Sequence, residues 1–154
     1  MAGRSPVIGV IGGGACSRQD YAAAVEVGRL IAQRGGVVIC GGLGGVMEAA
    51  CKGAAEAGGL TVGILPGSDP AEANPYVQIP IATGMGIGRN IVIVRTAAAL
   101  IAVDGRYGTL SEIAYALQLG KPVFGLNSWN DIPGVVAVAD PEEAVERAFQ
   151  AARG

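Results

Sequence analysis

A parallel α/β sheet covered on both faces by helices is the fold predicted for this chain, and three observations predict it. Short runs that are apolar throughout recur along the sequence, and a strand apolar on both sides needs cover on both sides. Segments with helical spacing separate those runs. The 26 glycines among 154 residues gather where strand runs give way to helical ones, in a chain that is 51% apolar. That rules out both a collagen-like repeat and a disordered composition. A chain of this length buries about two-thirds of its unfolded surface, enough for one Rossmann-like domain spanning residues 1–154. The expected sheet has about six or seven strands.

Pro6 to Ile11 is the first strand, and Gly12-Gly13-Gly14-Ala15-Cys16-Ser17 turns it into a helix expected over Gln19 to Gln33. Tyr21, Ala24, Val25, Gly28 and Ala32 share one face of that helix. Val37 to Cys40 is the second strand, after which Gly41-Gly42-Leu43-Gly44-Gly45 opens a helix reaching Ala57. Leu60 to Leu65 is the third, stopped by Pro66 and Gly67. Ser68 to Pro75 is polar and proline-bounded, hence loop, and Val77 to Ile81 is a short strand. Gly84-Met85-Gly86-Ile87-Gly88 leads into a helix over Arg89 to Thr96. Ala99 to Val103 runs into Asp104-Gly105-Arg106-Tyr107-Gly108, and a helix over Thr109 to Leu119 packs through Leu110, Ile113, Ala114 and Leu117. Val123 to Leu126 and Val135 to Val138 complete the strands. The closing helix starts with Asp140 as N-cap, Pro141 at its first position and Glu143 as the reciprocal acid of a capping box, and it runs to Ala152.

Composition removes several classes of function. The formal charge is −2 and the eleven Lys and Arg are scattered, so the concentrated basic surface that nucleic acid requires is missing. No leader segment or uncharged 18-residue apolar run is evident, which makes the cytoplasm the expected compartment, with no membrane partner. Zero histidines exclude a Ser-His-Asp triad and the usual zinc sites. The two lysines, Lys52 and Lys121, stand in neither a P-loop nor a setting for a pyridoxal Schiff base, and both read as solvated. Gly12-x-Gly14-x-x-Ser17 imitates half of a dinucleotide fingerprint, but Cys40-Gly41-Gly42 stands where an NAD site wants an acid. Cys40 and Cys51 read as small core residues. Cys16, in a glycine loop before a helix, is where a thiol pKa can be depressed, although it has no histidine base. Folding requires no cofactor.

An anion site remains. Ligands of open parallel sheets sit at the carboxyl ends of the strands, near a topological switch, and the glycine turns all fall at that edge. A helix N-terminus there offers unpartnered amides and a favourable dipole. The candidate binding residues are Gly12, Gly13, Gly14 and Ser17 in the first turn, Gly41, Gly42 and Gly45 in the second, and Gly105, Arg106, Gly108 and Thr109 in the third. Arg89 offers a fork to phosphate or carboxylate, or is a plain helix-start cation. Glu112 either holds ribose hydroxyls and handles a proton, or complements the dipole of its own helix. Asp20 reads as a first-turn helix acid.

The same residues resemble the LOG-like, or SLOG, superfamily, often mislabelled as lysine decarboxylases. The family's Pro-Gly-Gly-x-Gly-Thr-x-x-Glu is similar to Asp104 to Glu112, and its Gly-Gly-Gly-x-x-Gly-Leu-Met is similar to Cys40 to Met47, which adds Met47 to the binding set. The arginine of its Met-His-x-Arg-Lys corresponds to Arg89. Residues 6 to 150 follow the family order, and the nearest likeness is to the short members that include molybdenum cofactor carrier proteins. The resemblance implies a homodimer or higher homo-oligomer. In the carrier proteins it implies binding of a phosphorylated, molybdopterin-type ligand without chemistry. In the LOG enzymes it implies cleavage of a nucleoside 5′-monophosphate, with Arg89 and Glu112 catalytic and Gly108 and Thr109 on the phosphate. The chain departs from the enzymes at Asp104, Arg106 and Asn90, which replace Pro, Gly and Lys. Arg106 either adds a contact to a second anionic group or crowds a simple nucleotide. Asp104 repels an anion unless it pairs with Arg106. A phosphorylated small molecule, nucleotide or molybdopterin-like, is thus the expected ligand, held by a carrier or sensor or cleaved by a phosphoribohydrolase. A third possibility is an oligomeric protein with a vestigial anion site.

Overall fold

The computed structural model describes residues 3–153. In chain order it contains β1 (Val7–Gly12), α1 (Arg18–Gln33), β2 (Val37–Cys40), α2 (Val46–Glu56), β3 (Thr61–Leu65), β4 (Ile79–Ala82), α3 (Asn90–Thr96), β5 (Ala99–Val103), α4 (Tyr107–Gln118), β6 (Val123–Leu126), β7 (Val135–Ala137) and α5 (Pro141–Arg153). The strands form one seven-stranded sheet in the order β4-β3-β2-β1-β5-β6-β7. Every pairing is parallel. The chain winds outward from β1 to β4, then crosses to the free side of β1 and winds the other way. The switch point therefore lies between β1 and β5, whose register runs from Ile8 opposite Ala99 to Gly12 opposite Val103. The predicted Rossmann-like architecture is present.

Alternation within the strands supplies both cores. Ile8, Val10, Val38, Ile101 and Val103 face α1, α2 and α5. Ile11, Ile39, Ile64, Leu100 and Ala102 face α3 and α4. The first layer is unusually tight, because α1 and α2 meet through glycines. A Cβ on Gly28 would overlap the Ala50 carbonyl, and one on Gly53 would overlap the Val25 carbonyl. Among the described residues no helix is long and apolar enough to cross a membrane.

Some element readings shift. Helix α1 buries Ala24, Val27, Gly28 and Ile31, so Tyr21, Val25 and Ala32 lie at the margin of the packed stripe. A single 3-10 turn at Pro70–Glu72 interrupts the expected loop, and β4 starts after Val77. Helix α4 opens at Tyr107, two residues before the expected start; of its expected face Ile113 is buried and Leu117 packs partly against the core, while Leu110 is half-buried, Ala114 is exposed, and Thr109, Glu112 and Ala116 complete the buried stripe. Lys121 is not simply solvated: its Nζ donates to the carbonyls of Ala97 (2.6 Å) and Arg95 (3.1 Å), the free end of α3. The expected cap of α5 forms. The Glu143 amide donates to the Asp140 carboxylate (2.8 Å), and the Glu143 carboxylate accepts from the Ala139 amide (2.8 Å).

The α1–α2 contact yields a test. Gly53→Ala gains helix propensity of about 1 kcal/mol, yet it must push a helix off a backbone carbonyl that has no rotamer to change. A net loss of about 2 kcal/mol is expected, read as a fall of about 4–8 °C in the thermal midpoint.

Candidate functional site

Two consecutive left-handed residues carry the chain out of β5, Asp104 at φ 52° and Gly105 at φ 105°. The Ser128 hydroxyl donates to the Asp104 carbonyl (2.6 Å) and the Trp129 indole N–H to the Arg106 carbonyl (3.2 Å), fixing this turn from the loop after β6. The turn delivers α4 with its N-terminus at the sheet edge and no side-chain cap. Its first amides have no intrahelical partner and point their dipole at whatever lies above the switch point. Thr109, nearly fully buried, adds a hydroxyl there.

The turn after β1 rests on α2. The Val46 amide, first in α2, donates to the Gly13 carbonyl (3.0 Å). Gly45 has φ 63°, and a Cβ on it would overlap that same carbonyl. These turns enclose a cavity of about 570 Å³ lined by Ile11, Gly12, Gly13, Gly14, Ala15, Gly41, Met47, Arg89, Asn90, Arg106, Gly108, Thr109 and Glu112. Its size is that of a small-molecule site.

Arg89 ends a 3-10 turn (Gly86–Arg89) immediately before α3. Its guanidinium reaches under the cavity, where Nε donates to the Ile64 carbonyl (2.8 Å) and Nη2 to the Gly41 carbonyl (3.4 Å), the ends of β3 and β2. Nη1 donates to the Asn90 side-chain oxygen. Asn90 in turn donates to the Ser111 hydroxyl (3.4 Å), which donates to the Gly108 carbonyl (2.7 Å). A chain of hydrogen bonds thus ties the arginine to the first turn of α4.

Glu112 is only 7% exposed and lines the cavity without a hydrogen-bond partner among the described residues. Burial pushes its carboxyl up to about 7, and the Arg89 charge opposes that rise. Burial lowers the Arg89 pKa, with Glu112 acting the other way. The two charges face one cavity without closing to a salt bridge. Because α4 opens at Tyr107, Glu112 stands in its second turn, where the dipole explanation for an acid does not apply.

Of the sequence-derived candidates, Gly12, Gly13, Gly14, Gly41, Met47, Arg89, Arg106, Gly108, Thr109 and Glu112 line the cavity. Ser17, Gly42, Gly45 and Gly105 do not. The Ser17 hydroxyl caps α1 by accepting from the Asp20 amide (3.1 Å). Gly42 has φ 78° and packs on Leu65 and Gly63, and Gly45 and Gly105 shape turns, as above. Ile11, Ala15 and Asn90 are lining residues the sequence reading missed. Asn90 carried a signal, since it stands where the resembling enzymes have lysine.

Cys16 reverses its expectation: burial first, then Asp20 and Asp104, raise its thiol pKa. Cys40 and Cys51 are buried and free, their sulfurs 3.4 Å apart. Asp104 forms no ion pair with Arg106 and lies on the Gly13 side of its turn. Among the described residues no cluster of three metal-binding side chains exists.

The model of the SLOG cluster4 family matches residues 5–152. A protein of Archaeoglobus fulgidus is 52% identical over 138 residues, which cover 90% of this chain and 91% of that protein. The molybdenum cofactor binding protein of Rippkaea orientalis has a similar structure, with a TM-score of 0.91 and 37% identity over 97% of this chain and 98% of that one. The molybdenum cofactor carrier protein of Chlamydomonas reinhardtii matches with a TM-score of 0.89 and 35% identity, covering 98% of this chain and all of that chain, 100%.

The raised Glu112 pKa has a stability consequence. The folded state holds this proton more tightly than the unfolded chain does. Its stabilising effect is therefore complete below pH 4.5 and is lost as pH rises through about 7. Glu112→Gln stays neutral throughout. The variant is expected to match the parent at about pH 4 and to exceed it by up to about 3 kcal/mol at about pH 8.5, measured by denaturant titrations at both values. Equal stability at the higher pH would show that the carboxylate is ionised without penalty.

Proposed function

The chain belongs to the SLOG cluster4 family, and we propose that it binds a phosphorylated small molecule of the molybdopterin or nucleotide class and carries it without cleaving it. The observation that carries this reading is the uncapped N-terminus of α4, with the Thr109 hydroxyl beside it, opening into a cavity walled by glycine backbone. Such a seat grips a phosphate through amides and a dipole, and reads no particular base. The relatives from R. orientalis and C. reinhardtii are named for binding and carrying the molybdenum cofactor, which supports a ligand of that class. Arg89 supports carriage over cleavage, because three of its five N–H donors, one on each nitrogen, are committed to Ile64, Gly41 and Asn90. A guanidinium anchored to strand ends supplies a fixed positive potential under the ligand and has little freedom to follow a departing base. The cytoplasm is the compartment this reading assumes.

One observation favours a second reading, phosphoribohydrolase activity. A buried carboxyl pushed up to about 7 in a cleft is tuned for proton transfer near neutrality. Glu112 would then engage the ribose side of a nucleoside monophosphate, with Arg89 stabilising charge across the bond being cleaved.

Native mass spectrometry of gently purified protein, paired with a nucleotide panel assayed for released base, separates the two. Retention of a phosphorylated ligand with no released base is the expected result. Release of base that disappears in Glu112→Gln would make the protein a hydrolase. Under either reading Thr109→Val is expected to weaken binding of a phosphorylated ligand by about tenfold or more, since a hydrogen bond to a charged group is lost. Unchanged affinity in a calorimetric titration would remove Thr109 from the seat.

We also propose self-association. Among the described residues α3 and α4 are the helices that cover the second face of the sheet, and Ile79 and Ile81 of β4 lie on that face with Val62 and Ile64. Both are more than two-fifths exposed, as are Tyr115 and Leu119 of α4, and Ile87 is 86% exposed. Sedimentation analysis is expected to give a dimer or larger species, dissociated by Ile81→Glu.

A further inference from the structure

Outside the α4 N-terminus lies a second cavity, of about 210 Å³, lined by Gly105, Arg106, Tyr107 and Trp129. Arg106 lines this cavity and the larger one, so the two share a wall. At about 210 Å³ the smaller space falls below the size of a whole ligand site and suits one part of a ligand. Its chemistry also differs from that of its neighbour. The larger cavity contains backbone, Arg89, Glu112 and the aliphatic surfaces of Ile11 and Met47, but no aromatic side chain. It therefore offers a planar ring no aromatic partner. The smaller cavity is lined by two aromatic residues.

Those rings are differently held. Trp129 is half-buried, packs partly against the α4 core, and is anchored by its indole N–H on the Arg106 carbonyl. Its orientation is set before any ligand arrives, so little side-chain entropy remains to be lost on stacking. Tyr107, the first residue of α4, is 81% exposed at the mouth. The Arg106 guanidinium forms no salt bridge among the described residues. An unpaired arginine between an anion seat and an aromatic pair can contact the phosphate on one side and stack over a ring on the other.

We propose that the cavity formed by Arg106, Tyr107 and Trp129 is a ring subsite, taking the planar fused heterocycle of a ligand whose phosphate occupies the α4 N-terminus. This rests on the anion-binding reading above. Purines and pterins both fit that description, and guanine shares with pterin the 2-amino-4-oxopyrimidine ring, which makes GMP a suitable probe of the class. The inference also gives Arg106 a purpose. The bulky residue found in place of the family's glycine links two cavities and does not simply crowd one.

The test compares GMP with ribose 5-phosphate, the same phosphate without a ring, on the full chain. Trp129 is the chain's only tryptophan, so its emission reports this cavity alone. GMP is expected to quench it saturably and ribose 5-phosphate to leave it unchanged, and calorimetry is expected to show GMP binding about tenfold tighter. In Trp129→Leu that advantage is expected to vanish, read as the ratio of the two affinities, because the lost indole hydrogen bond to the Arg106 carbonyl also loosens the turn and weakens both probes alike. Tyr107→Ser, at a position too exposed to threaten folding, is expected to reduce the same advantage and serves if the tryptophan variant does not fold. Equal affinity for the two probes, or a GMP advantage that survives both substitutions, overturns the ring subsite and leaves the anion seat standing. Failure of both probes to bind overturns the anion seat, and the ring subsite with it.

Discussion

Backbone meeting backbone at the carboxyl edge of the sheet is the constraint on which the rest of this structure depends. A Cβ on Gly12 would overlap the Val103 carbonyl, and one on Gly45 would overlap the Gly13 carbonyl. The β1 turn, the β5 turn and the start of α2 can therefore converge only because no side chain lies between them. The hydrogen bond from the Val46 amide to the Gly13 carbonyl locks that convergence. Behind it, Gly28 and Gly53 let α1 and α2 close on each other's backbone, which holds the α2 N-terminus against the turn. The cavity is thus a gap left between main chains, and its walls are amides and carbonyls in fixed positions. Such walls favour a phosphate, which needs several donors at once and little shape discrimination.

Three charged side chains modify that neutral cage. Arg89 is held from below by the ends of β2 and β3, and through Asn90 and Ser111 it is tied to the first turn of α4. Glu112 faces the same space from the second turn of α4, with its pKa raised because burial outweighs the arginine's attraction. A carboxyl that is half protonated near neutrality softens the repulsion an incoming anion would otherwise meet. The same property would suit a proton-transfer group, and so the cavity supports a holding role and, more narrowly, a catalytic one. Arg106 extends the positive potential outward, toward the two aromatic rings beyond the α4 N-terminus.

How far the chain could be read in one dimension differs element by element. Parallel topology followed from strands apolar on both sides, and the edge carrying the candidate site followed from where the glycines stand. Arg89, Thr109 and Glu112 were legible because each adjoins such a turn. The face of α4 was legible only in part, through Ile113 and Leu117. Leu110 and Ala114 are as apolar as Ile113 and Ala116, and a rotation by one position is invisible to periodicity. Only the start of the helix at Tyr107, dictated by the left-handed pair Asp104 and Gly105, turned Thr109 and Glu112 inward. Ser17, Gly42 and Gly45 share the composition of phosphate-binding loops, yet the structure uses them for capping and close approach. A glycine that lines a cavity and a glycine that makes room for a neighbour are identical in sequence.

Residue identity alone therefore determined the fold class, the edge of the sheet at which the glycine turns gather and the absence of any imidazole from the chain's chemistry. All three are consequences of local composition and of which functional groups the chain contains. Tertiary structure decided the protonation of Glu112, the anchoring of Arg89 and the meeting of Trp129 with Arg106 and Tyr107. Each of these depends on distances between segments far apart in the chain, and on how completely the packing between them excludes water. Cys16 makes the same point: its loop position argues for a lowered pKa, while its burial and the nearby Asp20 and Asp104 raise it. Electrostatics in a folded protein is set by burial and by neighbours in space, and neither is written in the order of the residues.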